Sequence, residues 1–173
     1  MKKEDEFNDI PKNYQNFYLS YTSNCEDAGM NQEYVEWVLD LVKNHPNDEN
    51  LKDPDVANNI GCIFDNGIMV EKNIEFAVYW YERAIKLGSV LAKSNLADIL
   101  RKGTNGYPKD LARAFELYKS CGLPYAHYRV GEFHEYGWVY EKNIEEAKRY
   151  YRLAFQEGHC LAKKKLATFD FLK

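Results

Sequence analysis

The pentapeptide Glu71-Lys72-Asn73-Ile74-Glu75 returns unchanged, seventy residues later, as Glu141-Lys142-Asn143-Ile144-Glu145. Seventy is twice thirty-five, a spacing at which short helical units stack, so a middle copy is expected. It lies at Lys109-Asp110-Leu111, with Asp110 and Leu111 in the places of Asn73-Ile74 and Asn143-Ile144. Three units in register cannot each bury an apolar face alone; stacking neighbours buries it, and this constrains the fold before any other feature does.

Each unit opens with a set at relative positions 0, +4, +5 and +8: Val56, Ile60, Gly61 and Phe64; Ala92, Leu96, Ala97 and Leu100; Ala126, Val130, Gly131 and His134. That spacing lays one stripe along a helix, and the small residue in the third place admits a neighbouring helix at close range. Gly67, Gly103 and Gly137, six residues past the small position, end these first helices. Asn73, Asp110 and Asn143 then carry the side-chain oxygen that caps a second helix, and Glu146 completes a capping-box pattern with Asn143. From each cap, Ala77, Ala114 and Ala147, then Tyr81, Tyr118 and Tyr151, then Ala84, Cys121 and Ala154 draw one buried face. Gly88, Gly122 and Gly158 end the second helices, the middle unit being three residues shorter there. Ala162, Leu166 and Ala167 open a fourth stripe on a helix bearing Lys163, Lys164, Lys165 and Lys173, a polar cap for such a stack.

This order, from alanine through Leu-Gly, aromatic, Gly, Asn or Asp, Ala and Trp80-Tyr81 or Tyr150-Tyr151 to Ala and Gly, resembles the Sel-1-like repeat family, a variant of the tetratricopeptide helix-turn-helix. The resemblance covers Val56 to Lys173. It implies an all-α, right-handed α-solenoid with repeats at about 56–91, 92–125 and 126–161 and a capping helix at 162–173. Val56 in place of alanine, Leu100 and His134 in the aromatic slot, and the trimmed middle helix depart from the family pattern.

Segment 1–54 reads as a helical cap. Asn31 caps an amphipathic helix carrying Tyr34, Val35, Trp37, Val38, Leu41 and Val42, which must stop before Pro46. Upstream, Pro11 with Tyr14, Phe17, Tyr18 and Tyr21 predicts a companion helix, bringing the expected total to about nine. Whether the pair stacks on the repeats or makes a separate docking surface stays open.

Composition narrows the function classes. The net charge of −4 disfavours a surface built to grip a phosphate backbone. Up to Asp53 there are 5 basic and 12 acidic residues, a net of −7, which leaves +3 for the rest. The polar opening residues contain no apolar secretion segment, and no run approaches a membrane span, so the expectation is a cytoplasmic chain. Cys25, Cys62, Cys121 and Cys160 are scattered, without a C-x-x-C pair, and read as reduced thiols.

By analogy with tetratricopeptide geometry, the free face of each first helix is the expected partner site. It holds Asn58, Asp65 and Asn66, then Ser94, Asp98 and Arg101, then Tyr128, Glu132 and Glu135. Carboxylates, a guanidinium and an aromatic side chain suit a polar or basic partner segment. His127 and His134 share a helix with Glu132 and Glu135, but two convergent ligands fall short of a zinc site, and His134 fits the core slot of Phe64 and Leu100. Asp98, Glu132 and Glu135 lack the Ser-His-Asp order, Gly-rich loop or metal motif that would make them an enzyme's acid and base. RNA reading by helical repeats needs a basic groove, whereas Arg101 stands among four acids on this face. The expectation is therefore a non-catalytic protein-interaction module with no metal or cofactor. It would be an adaptor in a secretion, envelope or signalling assembly or, from its acidity, an immunity protein occluding a basic toxin domain.

Overall fold

The computed structural model describes Ile10, Lys12 and residues 30–170, apart from the side chain of Asp170. Among these residues lie eight α-helices: α1 (Gln32–Asn44), α2 (Pro54–Asn66), α3 (Ile74–Leu87), α4 (Val90–Lys102), α5 (Leu111–Lys119), α6 (Pro124–Tyr136), α7 (Ile144–Gln156) and α8 (Cys160–Asp170). Short 3-10 turns at Glu49–Lys52 and Thr104–Gly106 join α1 to α2 and α4 to α5. The companion helix expected around Tyr14, Phe17, Tyr18 and Tyr21, and Cys25, fall outside the described residues. The chain divides into two compact units, Met1–Ala92 and Lys93–Lys173.

In the first unit, local chemistry sets each helix start. The Asn31 side chain accepts the Tyr34 N–H at 3.2 Å, Asp53 accepts from Asp55 and Val56 at 2.8 and 3.0 Å with Pro54 as first helical residue, and Asn73 accepts from Phe76 at 3.0 Å. Each bond satisfies a donor that has no partner within its own helix. α2 ends at Gly67, whose φ of 70° lies in the left-handed region where a side chain would be strained. Packing then follows the sequence stripe. Ile60, Ile63 and Phe64 of α2 and Ala77, Trp80, Tyr81 and Ala84 of α3 are buried, joined by Val35, Val38, Leu39 and Val42 of α1 and by Leu51. Each large apolar side chain withdrawn in this way stabilises by roughly 1.5 to 3 kcal/mol. The small residue matters because a Cβ on Gly61 would stand 2.5 Å from the Tyr81 ring, so only glycine lets α2 and α3 meet there. Arg83, also buried, donates to the Leu51 carbonyl at 3.4 Å and lies over the Trp80 ring.

The second unit repeats this construction with differences. Asp110 caps α5 through the Arg113 N–H at 2.9 Å, and Asn143 caps α7 through Glu146 at 3.0 Å. The reciprocal half of the expected capping box does not form. The Asn143 N–H instead donates to the His134 carbonyl at 2.9 Å, and the Glu146 carboxylate turns to Arg149 at 3.5 Å. The same loop-closing bond joins Asn73 to Phe64 and Asp110 to Leu100. α5 has 9 residues against 14 in α3, five fewer where the sequence spacing predicts three, because its C-cap is Ser120 rather than Gly122. A Cβ on Gly131 would stand 2.7 Å from the Tyr151 ring, the counterpart of Gly61 and Tyr81. Tyr128, Ala147, Tyr151, Ala154 and Ala162 form a core against which Leu166 and Phe169 of α8 pack. Lys163 and Lys164 of α8 are exposed.

Candidate functional site

The tyrosine eight residues after each second-helix cap is buried by its ring, yet its hydroxyl must find a partner. In every repeat that partner lies on the first helix. Tyr81 donates to the Cys62 sulfur at 3.4 Å, Tyr118 to Asp98 at 2.6 Å and Tyr151 to Glu135 at 2.5 Å. Relative to the small residue, all three partners occupy positions +1 or +4, the pairs being Cys62 and Asp65, Asp98 and Arg101, Glu132 and Glu135.

In the second unit these positions grow into a connected polar network. Asp98 Oδ1 accepts from Tyr118 and, at 3.2 Å, from Arg101 Nη2; Oδ2 accepts from Tyr125 at 2.7 Å and has Lys102 Nζ at 3.8 Å. Each tyrosine oxygen in turn accepts from an arginine: Tyr118 from Arg101 Nε at 3.4 Å and Tyr125 from Arg129 Nε at 2.8 Å. Arg129 lies over the Tyr125 ring at 4.8 Å and reaches Glu132 at 2.6 Å. Beyond it, Lys165 of α8 straddles both oxygens of Glu135 at 3.0 and 2.8 Å and donates to the Tyr136 hydroxyl at 2.8 Å.

Charge follows from these contacts. Burial opposes ionisation of Asp98, but bonds from Tyr118 and Tyr125, the Lys102 charge and the Arg101 bond outweigh it and hold its carboxyl below the ordinary range. Burial, and then the Asp98 charge, push Tyr118 far up, so its hydroxyl stays protonated and donating. For Lys165, burial works against the cation, while the bonds to Glu135 and Tyr136 raise its pKa overall. An Asp held ionised in this way is a poor general acid, and Glu132 and Glu135 are bonded to separate cations rather than facing a common point.

The nine residues expected on the free face divide between the units. Asn58, Asp65 and Asn66 belong to the first; Ser94, Asp98, Arg101, Tyr128, Glu132 and Glu135 belong to the second. Asn58, Ser94 and Tyr128 are buried, at 5%, 7% and 8% exposure, and shape the face from beneath. Tyr128 stacks under His159 at 4.5 Å. Asp65 is 3.8 Å from Lys72, and Asn66, exposed, donates to the Cys62 carbonyl at 2.9 Å. His127 and His134 serve different partners, His127 meeting Glu157 at 2.8 Å and His134 stacking on Tyr150 at 5.6 Å. Tyr125 and Arg129 are network members that the sequence pattern did not single out; Tyr118 and Tyr151, expected as core, and Lys165, expected on the polar cap, join them. The spacing of Tyr125, Arg129 and Glu132, at i, i+4 and i+7 on α6, was the available signal for the middle of the chain. Nothing local pointed to Lys165, which arrives from another helix.

The description "Sel1 repeat" matches residues 54–89, 90–120 and 124–159, more than half of the chain. The chain belongs to the Sel1 repeat family. Members are generally non-catalytic protein–protein interaction modules. This Sel1 repeat chain is similar to the crystal structure of a Sel1 repeat protein from Oxalobacter formigenes, at 28% identity and a TM-score of 0.67, over 80% of this chain and 60% of that one. It shares its fold with c5321, a protective antigen present in uropathogenic Escherichia coli strains and displaying an SLR fold, at 24% identity and a TM-score of 0.65, over 77% of this chain and 27% of that one. It thus spans less than two thirds of either structure. No curated protein matches its sequence. The all-α repeat class expected from the sequence is what the helices and these relatives show. No helix among the described residues is long and apolar enough to cross a membrane.

Proposed function

We propose that this Sel1 repeat chain is an adaptor that binds a partner protein on the first-helix face of its second unit, through Asp98, Arg101, Glu132 and Glu135 and their neighbours. The observation that carries this reading is the network itself. Its long side chains are already fixed by mutual bonds, so a partner meets polar groups whose ordering entropy has been lost on folding. Taken by itself, the first unit offers Asp65 and Asn66 on its own first-helix face with Asn58 as support beneath, as Ser94 and Tyr128 are supports beneath the face of the second. We place the adaptor in the cytoplasm, where thiols such as Cys62, Cys121 and Cys160 persist. Occlusion of a basic toxin domain drew its support on this face from acidity, and the face has lost that property: Asp98, Glu132 and Glu135 are all bonded to cations.

The test is affinity capture with mass spectrometry, using the wild type beside a variant altered only at exposed positions, Lys102→Glu with Tyr136→Ala. A partner retained by the wild type and lost by the variant is the expected result. The same partner captured equally by both would move binding away from this face.

A further inference from the structure

We propose that the face carrying Asp98, Arg101, Arg129 and Glu132 recognises an acidic segment of its partner, one side-chain carboxylate landing between the two arginines. This rests on the reading of that face as the binding surface and adds the chemistry of what it takes.

The argument is an inventory of donors and acceptors. Both oxygens of Asp98 are occupied, by Tyr118 and Arg101 on one and by Tyr125 on the other with Lys102 beside it. Both oxygens of Glu135 accept from Lys165, and Glu132 accepts from Arg129. The Tyr118 and Tyr125 oxygens, the neighbouring hydroxyl acceptors, already receive an arginine Nε. The donors are far from exhausted. Of five guanidinium N–H groups each, Arg101 commits Nε and Nη2, and Arg129 commits Nε and Nη1. Arg101 Nη1 and Arg129 Nη2 hold no bond among the described residues. The two heads are tied into one frame because each is hydrogen-bonded to a tyrosine that donates to the same Asp98 carboxylate. They are therefore aimed by the network rather than free to swing, and a planar, pre-oriented guanidinium is the group best suited to a carboxylate.

Net charge decides between acceptor classes. Arg101, Lys102, Arg129 and Lys165 stand against Asp98, Glu132 and Glu135, an excess of one positive charge. A single carboxylate matches that excess. A phosphate dianion would bring a second negative charge up to three fixed carboxylates. A basic segment would meet that excess of positive charge and would find, among the oxygens of these three carboxylates, Glu132 Oε1 alone without a bond among the described residues.

The test uses the full chain, following the arginine Nε–Hε resonances by NMR during titration with capped hexaglutamate, capped hexalysine or inorganic phosphate. Hexaglutamate should shift the Arg101 and Arg129 resonances saturably, with phosphate and hexalysine leaving them in place. Arg101→Lys, which keeps the charge and loses the fork, should weaken hexaglutamate about tenfold. The wild-type titration stands alone if that variant does not fold. Shifts of these resonances with hexalysine or phosphate but not hexaglutamate would overturn the acidic ligand, as would hexaglutamate shifts confined to Arg149 and Arg152, two exposed arginines of α7. If capture finds a partner that depends on this face while hexaglutamate leaves both arginines unmoved, the binding face stands and the carboxylate inference alone falls.

Discussion

The first and third repeats share a pentapeptide, a cap and a glycine–tyrosine contact, yet they differ in what they do with the turn between their helices. In the first repeat, Ile68, Met69 and Val70 are buried, at 0 to 2% exposure. Seventy residues on, the same places hold Trp138, Val139 and Tyr140, and Trp138 and Tyr140 are exposed at 37% and 57%. Tyr136, in the place of Asn66, stacks on Trp138 at 5.2 Å. The hydroxyl partners differ in part: Tyr81 donates to the Cys62 sulfur with the Asp65 carboxylate also engaged, whereas Tyr151 donates to the Glu135 carboxylate. Backbone and ring packing are thus reproduced between the repeats, while the chemistry offered outward is free to diverge, as a repeat architecture permits when each unit is stabilised through its immediate neighbours.

Five measurements break or sharpen this comparison. The largest effect is expected from Tyr81→Ala and Tyr151→Ala, each costing about 3 to 5 kcal/mol in urea titration because a fully buried ring is removed; a loss under about 1 kcal/mol in either would mean that the rings do not hold equivalent places. Ile68→Ala should cost about 2 to 5 kcal/mol as a core truncation, against about 1 kcal/mol for Trp138→Ala, and equal losses would erase the contrast between the two turns. Tyr151→Phe removes a bond to a charged acceptor and should cost about 1.5 to 3 kcal/mol, whereas Tyr81→Phe, losing a hydroxyl shared between the Cys62 sulfur and Asp65, should cost about 0.5 to 1.5 kcal/mol. Asn73→Ala and Asn143→Ala should each cost about 0.5 to 2 kcal/mol through their caps, and unlike values would show that the two helix starts are not interchangeable. The smallest effect is read along pH. The carboxyl of Asp98 is held below its ordinary range in the fold, so its contribution is present above the usual carboxylate pKa and lost as pH falls through the folded value. Asp98→Asn should flatten the decline in stability below about pH 5. Cys62→Ser, changing the same slot of the first repeat, should leave that acid limb unchanged.

The elements whose causes are local were legible in the sequence. Asn31, Asn73, Asp110 and Asn143 cap the helices they were expected to cap, and Gly67 and Gly137 end their helices with positive φ. The tight contact at Gly61 and Gly131 was legible as a small residue on an apolar stripe, although the ring it accommodates was not. The network was less accessible, because a tyrosine placed on a buried face says nothing of where its hydroxyl goes. Charge signs were readable and pairings were not: Glu135 finds Lys165 thirty residues away, which turns an expected acid into half of an ion pair. Analogy with tetratricopeptide geometry puts Asn58, Ser94 and Tyr128 on the outward face, whereas all three are buried. They share one slot, three residues before Gly61, Ala97 and Gly131, which in the third repeat lies under the turn that ends it, where His159 covers Tyr128.

The bond that closes each loop has a consequence for how such a chain can change over generations. It runs from the amide of Asn73, Asp110 or Asn143 to the carbonyl of Phe64, Leu100 or His134, main chain to main chain. Because the latch is made of peptide groups that every residue type at those carbonyls possesses, a duplicated unit can exchange a phenyl ring for an isobutyl group or an imidazole without losing its closure. His134 has used that latitude: half-buried, with burial lowering its pKa, it presents a largely neutral ring to Tyr150 where Phe64 meets Phe76 edge-on. Copying errors at this place become raw material rather than damage.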